Sequence, residues 1–256
     1  LDLFTGNVTE YRRTLDMKKG ITSRSFVWES PAGRKVSVRI ERMASFEMLP
    51  LFLIRYRICP LNFSGTVKME SVQSGDVYNY FNQKDSRVAG EKRIHMRVKD
   101  VEADGTTGIL VSETVRSGLE AACAVSHVFS GPVSQTLVCD EKSITDRIEF
   151  GAEEGKWSCA EKYSILCDSL RYADVKEEAL RLLDLAVEKG SGYWYGKQEE
   201  FLEKFWEGCA IEISGDEELN LSLHFSQYGL LQSAGLDGVS KIGAKGLSSE
   251  GYEGHY

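Results

Sequence analysis

Strand-like segments follow one another through the first 150 residues with no convincing helix between them, and this series restricts the possible folds more than any other feature. VSVRI (36–40), FLIRYRI (52–58), TVKM (66–69), RIHMRV (93–98), GILVSETV (108–115), AACAVSHVF (121–129) and SQTLVC (134–139) alternate or run apolar over strand lengths. Turn-forming clusters such as SPAG, NFSG and ADGTTG separate them. Ahead of them, LDLFTGNVT (1–9) and LDMKKGIT (15–22) form a near repeat. Each has an apolar start, a turn glycine and a β-branched exit, the requirement for successive hairpins. Without helical crossovers the sheets must be antiparallel and stacked as a sandwich.

Around Trp157 the pattern changes. Asp174 and Glu177 make a capping-box pair, and DVKEEALRLLDLAVEKG then carries apolar residues at helical spacing to Gly190, a natural stop. A second helix is predicted over KQEEFLEKFWEG (197–208). A third opens at a Ser214–Glu217 capping box and runs through LNLSLHFSQYGLLQS to about Ser233. The chain ends in a glycine-punctuated stretch, KIGAKGLSSEGYEGHY (241–256).

The formal net charge of -8 argues against nucleic-acid binding, which needs a basic stripe to displace counterions from phosphates. No apolar run approaches the length of a membrane span, and no leader-like segment opens the chain. Because it begins at Leu1 in strand-like sequence, the N-terminus reads as trimmed. Cys59, Cys123, Cys139, Cys159, Cys167 and Cys209 form no CxxC pair and lack histidines at zinc-site spacing. They read as scattered thiols of a cytoplasmic protein, and no metal site is expected.

Among polar residues, His95 alternates with Ile94 and Met96 and should face solvent; His127 is read the same way. His224 shares a helical stripe with Asn220 and Gln227, either a solvated face or the lining of a carbohydrate cleft. The Glu pairs at 153/154, 177/178, 199/200 and 217/218 do not suit two-carboxylate glycoside chemistry, because adjacent helical residues do not face one another. In the terminal stretch, GAKG combines close-approach glycines with a cationic lysine but lacks the order of a P-loop. It reads as either a surface loop or an anion site.

Five separated stretches, in this order, resemble the α-glucoside phosphorylases of glycoside hydrolase family 65, which include maltose, kojibiose, nigerose and trehalose phosphorylases. They are LDMKKGITSRSFVWESPAGRKVSVRIERMAS (15–45), ICPLNFSG (58–65), FWEGCAIEISGDEE (205–218), LLQSAG (230–235) and IGAKGLSSEGYEGH (242–255). Ser248 and Ser249 depart from the pattern, standing where similar proteins usually carry a glycine before the glutamate.

The resemblance implies a galactose-mutarotase-like super-sandwich over residues 1–165, truncated at its start. A helical linker over 166–213 and the beginning of an (α/α)6 catalytic barrel over 214–256 would follow. It implies that both ends of the sequence are cut and that the catalytic acid lies downstream, so that no catalytic residue is expected here. Lys245, Gly246, Glu250, Tyr252 and His255 are the expected substrate-binding residues, at the threshold of a sugar pocket. The implied reaction is inverting phosphorolysis of an α-glucobiose. One carboxylic acid protonates the glycosidic oxygen while inorganic phosphate, a co-substrate needing no further cofactor, attacks from the opposite face and releases β-glucose 1-phosphate. A homodimeric parent is implied as well. A hydrolase of the same family and a stand-alone carbohydrate-binding or assembly module are the alternatives.

Overall fold

The computed structural model describes residues 4–79, 81–84 and 90–239. Among them are β1 (Asn7–Asp16), β2 (Ile21–Glu29), β3 (Lys35–Ala44), β4 (Leu51–Pro60), β5 (Gly65–Ser74), β6 (Met96–Asp104), β7 (Thr107–Thr114), β8 (Glu120–Phe129), β9 (Ser134–Cys139), β10 (Ser143–Ala152) and β11 (Ser158–Asp168). Helices α1 (Val175–Cys209) and α2 (Glu217–Ser233) follow. One sheet has eight strands in the order β1-β2-β3-β4-β11-β8-β7-β6, and a second has three, β5-β10-β9. Every neighbouring pair is antiparallel. The protein is mostly β, as the strand series requires.

Period-two alternation divides the large sheet into two working faces. Val36, Val38, Ile40 and Ile58 meet Val67 and Phe150 of the small sheet on one side. The alternate set, including Met43, Leu53, Ile109, Ala124, Tyr163 and Ile165, buries Ala179, Leu183 and Ala186 of α1 on the other. β10 and β11 extend the expected series. β11 lies between β4 and β8 at the middle of the sheet. Residues Ala160, Tyr163, Ile165 and Cys167 on it are all buried, and a strand covered on both faces shows no clean alternation. The change of pattern at Trp157 therefore marks the entry to a central strand, not the end of the sheet.

His95 is exposed as expected, but His127 is not. The fold buries it to 8% exposure, with Nδ1 2.8 Å from Asp146 Oδ2, close but not aligned as a hydrogen bond. The cause is the β10 register, which points Asp146 inward between Ile144 and Ile148, where a carboxylate needs partners. Gln135 Nε2 donates to the same oxygen at 2.7 Å. On β11, Lys162 Nζ donates to Ser71 Oγ at 2.9 Å across the sandwich, and burial pulls that ammonium below the ordinary lysine range.

Asp174 caps α1 as expected, its carboxylate accepting from the N–H groups of Lys176 and Glu177. Gly190 interrupts the helix at φ 76°, ψ 158°, but the chain resumes helical geometry at once instead of waiting for Lys197. α2 begins two residues later than the Ser214 box suggests. Gly215 takes φ 88°, and Asp216 is the cap that accepts from Leu219 N–H.

All six cysteines are free. Cys59 and Cys167 are buried, and burial, reinforced by Glu178 and Asp168, pushes the Cys167 thiol up to about 11. Brief labelling with a maleimide at about pH 8 should therefore modify exposed Cys139 and spare Cys59 and Cys167 until the protein is denatured, as read by peptide mass spectrometry. Modification of Cys167 as fast as Cys139 would contradict this packing.

Candidate functional site at the junction of sheet and helices

α2 reaches the rest of the protein through Tyr228 and Leu231. These pack on Leu15 and Met17 at the β1–β2 turn, on Phe46 after β3, and on Leu202 and Phe205 of α1. Gln198 fixes the same corner. It is fully buried, accepts from Phe46 N–H at 2.8 Å and donates to the Ala44 carbonyl at 3.1 Å. The turn beneath it demands glycine. Gly20 has φ +64°, and a Cβ there would sit 2.5 Å from Gln198 Nε2 and 2.8 Å from Leu202 Cδ1.

The stripe of Asn220, His224 and Gln227 proves to be a fastening and not a solvated face. Asn220 exchanges two hydrogen bonds of 2.7 Å with the backbone of Ile213, and Gln227 Nε2 donates to the Cys209 carbonyl at the end of α1. His224 packs edge-on against Trp206 at 5.4 Å, its Nε2 sealed from solvent. Trp206 in turn donates its indole N–H to the Met17 carbonyl at 2.9 Å. These contacts hold α2 against the end of α1.

A second polar cluster lies under the Gly190 break. Arg55 donates to Glu161 at 2.9 Å and to Ser191 Oγ at 2.7 Å, Ser191 donates to Glu161 at 2.6 Å, and the guanidinium lies 4.5 Å from the centre of the Tyr195 ring. Tyr163 donates its hydroxyl to the other Glu161 oxygen, and burial and that carboxylate push the phenol up to about 12. Arg55 and Glu161 are paired with each other, so the cluster docks the second half of α1 on the sheet, while the Tyr195 hydroxyl is buried without a hydrogen-bond partner among the described residues.

Between the sheet and the C-terminal end of α2 is a cavity of about 490 Å³. Thr22, Arg42, Ala44 and Phe52 line it from one face of the large sheet, because Thr22 pairs with Arg42 and Ala44 with Phe52 across adjacent strands. Phe46 and Leu49 form a side wall, and Tyr228, Leu231 and Gln232 contribute from α2. Asp168, Arg171 and Asp237 stand at the rim. Arg171 bonds to both carboxylates at 2.5 Å, and the Asp237 hydrogen bond, with Asp168, raises its guanidinium above the ordinary range. The second oxygens accept from Leu170 N–H and Val239 N–H. Both carboxylates are thus committed to Arg171 and to backbone N–H groups. No group of three or more metal-ligating side chains occurs among the described residues.

Lys245, Gly246, Glu250, Tyr252 and His255 all lie outside the described residues. The cavity residues Thr22, Arg42, Tyr228 and Gln232 escape sequence reasoning because they lie on elements some two hundred positions apart. One signal was present. Stretches 15–45 and 230–235, from opposite ends of the chain, each carry the resemblance, and both converge on this cavity.

The model of "Glycosyl hydrolase family 65, N-terminal domain" matches residues 1–205. An alpha,alpha-trehalose phosphorylase of Geobacillus stearothermophilus is 38% identical over 99% of this chain and 33% of its own length. A kojibiose phosphorylase of Thermoanaerobacter brockii is 30% identical over 100% of this chain and 34% of its own. A solved structure described as a putative kojibiose phosphorylase from human microbiome superposes at TM-score 0.86 and 17% identity, covering 100% of this chain and 33% of that one. At that identity it shows the fold. The chain spans about a third of the length of the curated relatives it matches. The chain belongs to glycosyl hydrolase family 65, and residues 1–205 match the N-terminal domain of that family.

Proposed function

We propose that the chain is the N-terminal part of an inverting α-glucoside phosphorylase, a platform on which the sugar-binding part of the protein is assembled. The observation that carries this reading is the family match together with curated relatives described as trehalose and kojibiose phosphorylases. The geometry supports it in two ways. The carboxylates at the junction cavity are held by Arg171, which supports an acid supplied from elsewhere in the full-length protein. The outer face of α2 exposes Leu219, Leu221, Phe225 and Leu230, with Leu223 half-buried, an apolar surface suited to a helix that opens an (α/α)6 barrel at residues 214–256.

On this reading inorganic phosphate is a co-substrate, and an α-glucobiose is cleaved with inversion to β-glucose 1-phosphate. On the same reading Lys245 and its neighbouring glycines, which come after α2 in the sequence, would bring cationic and close-approach chemistry to the sugar pocket. In the full-length protein, Lys245→Ala should lower apparent phosphate affinity by about 10- to 100-fold, for a charged hydrogen bond of roughly 1.5–3 kcal/mol, while disaccharide KM changes little. An unchanged phosphate response would remove Lys245 from that role. The 256-residue chain alone should show no turnover.

A further inference from the structure

We infer that the cavity between the sheet and α2 is a binding site for a small phosphorylated sugar, held by Arg42 and Tyr228. This does not rest on the phosphorylase reading; it rests on the cavity lining. Tyr228 is 3% exposed, yet its hydroxyl makes no hydrogen bond among the described residues. That hydroxyl is not sealed from solvent: it lies 3.3 Å from where a Cβ on Gly20, another cavity residue, would stand, and its ring is held by an edge-on contact with Phe46 at 6.4 Å, so an uncommitted donor and acceptor is open to the cavity.

Arg42 is half-buried on the sheet face and has neither ion pair nor hydrogen bond among the described residues. The other cation of the lining, Arg171, is already held by Asp168 and Asp237 at the rim. The interior therefore presents one uncompensated guanidinium, a fork suited to phosphate oxygens. Thr22 and Gln232 add uncommitted hydroxyl and amide groups, and Phe46 and Phe52 supply apolar walls for the C–H face of a ring. A volume of about 490 Å³ falls in the range of small-molecule sites and exceeds what a bare phosphate would fill. One anionic group, several hydroxyls and a ring of modest size describe a hexose monophosphate.

The test is isothermal titration of the 256-residue chain with glucose 6-phosphate, with glucose and inorganic phosphate as separate titrants. Glucose 6-phosphate should bind more tightly than either component. Arg42→Gln should weaken it about tenfold or more, and Tyr228→Phe, which removes one oxygen, by several-fold. Far-UV circular dichroism confirms that each variant is folded. If Arg42→Gln does not fold, Tyr228→Phe decides. The inference is overturned if glucose 6-phosphate does not bind, if neither variant alters binding, or if phosphate or glucose alone binds as tightly. None of those outcomes bears on whether the full-length protein is a phosphorylase, which is read from turnover.

Discussion

Replacing Gln198 with leucine is expected to lower stability by about 3 kcal/mol, the largest effect of any single side chain at the junction. The substitution keeps most of the volume but leaves Phe46 N–H and the Ala44 carbonyl without partners beneath a fully buried residue. Each orphaned group costs roughly 1–3 kcal/mol, because water cannot reach it. For a chain of this size that corresponds to a fall in Tm of about 6–12 °C by thermal unfolding. Gln198→Glu keeps an acceptor for Phe46 N–H and should lose less. A Tm within about 2 °C of the parent for Gln198→Leu would mean that apolar contacts alone hold α1 and α2 on the sheet.

That corner also shows what could be read from the sequence and what could not. Strands such as VSVRI announce themselves by alternation, since one face meets the small sheet and the other meets α1 or solvent. β11 does not, because it is covered on both faces and carries Glu161 and Lys162, whose charges find partners only in the fold. Gly190 was legible as a stop, but not the immediate resumption of α1, which is secured by Ser191 bonding to Glu161 and Arg55 far away in sequence. His127 fails for the same reason. Its burial depends on Asp146 facing it from another sheet, a contact set by the β10 register and not by anything near residue 127. The candidate site was legible only as two resembling stretches at opposite ends of the chain. The pairing of Thr22 with Arg42 and the packing of Tyr228 on Phe46 bring them together.

The second large effect concerns catalysis in the full-length protein, where dependence on inorganic phosphate should be close to absolute. In an inverting phosphorylase the nucleophile is phosphate itself, bound opposite the acid, so removing it removes the attacking group and not merely an activator. The engaged carboxylates of the junction agree with a division of labour in which this part of the protein holds and orients while the acid lies elsewhere. Proton NMR of the full-length protein acting on trehalose and on kojibiose, followed from the first minutes with and without phosphate, tests this most directly. The account predicts β-glucose 1-phosphate as the first product with phosphate present, and almost no cleavage without it. Release of free glucose at the same rate in the absence of phosphate would contradict it and identify a hydrolase.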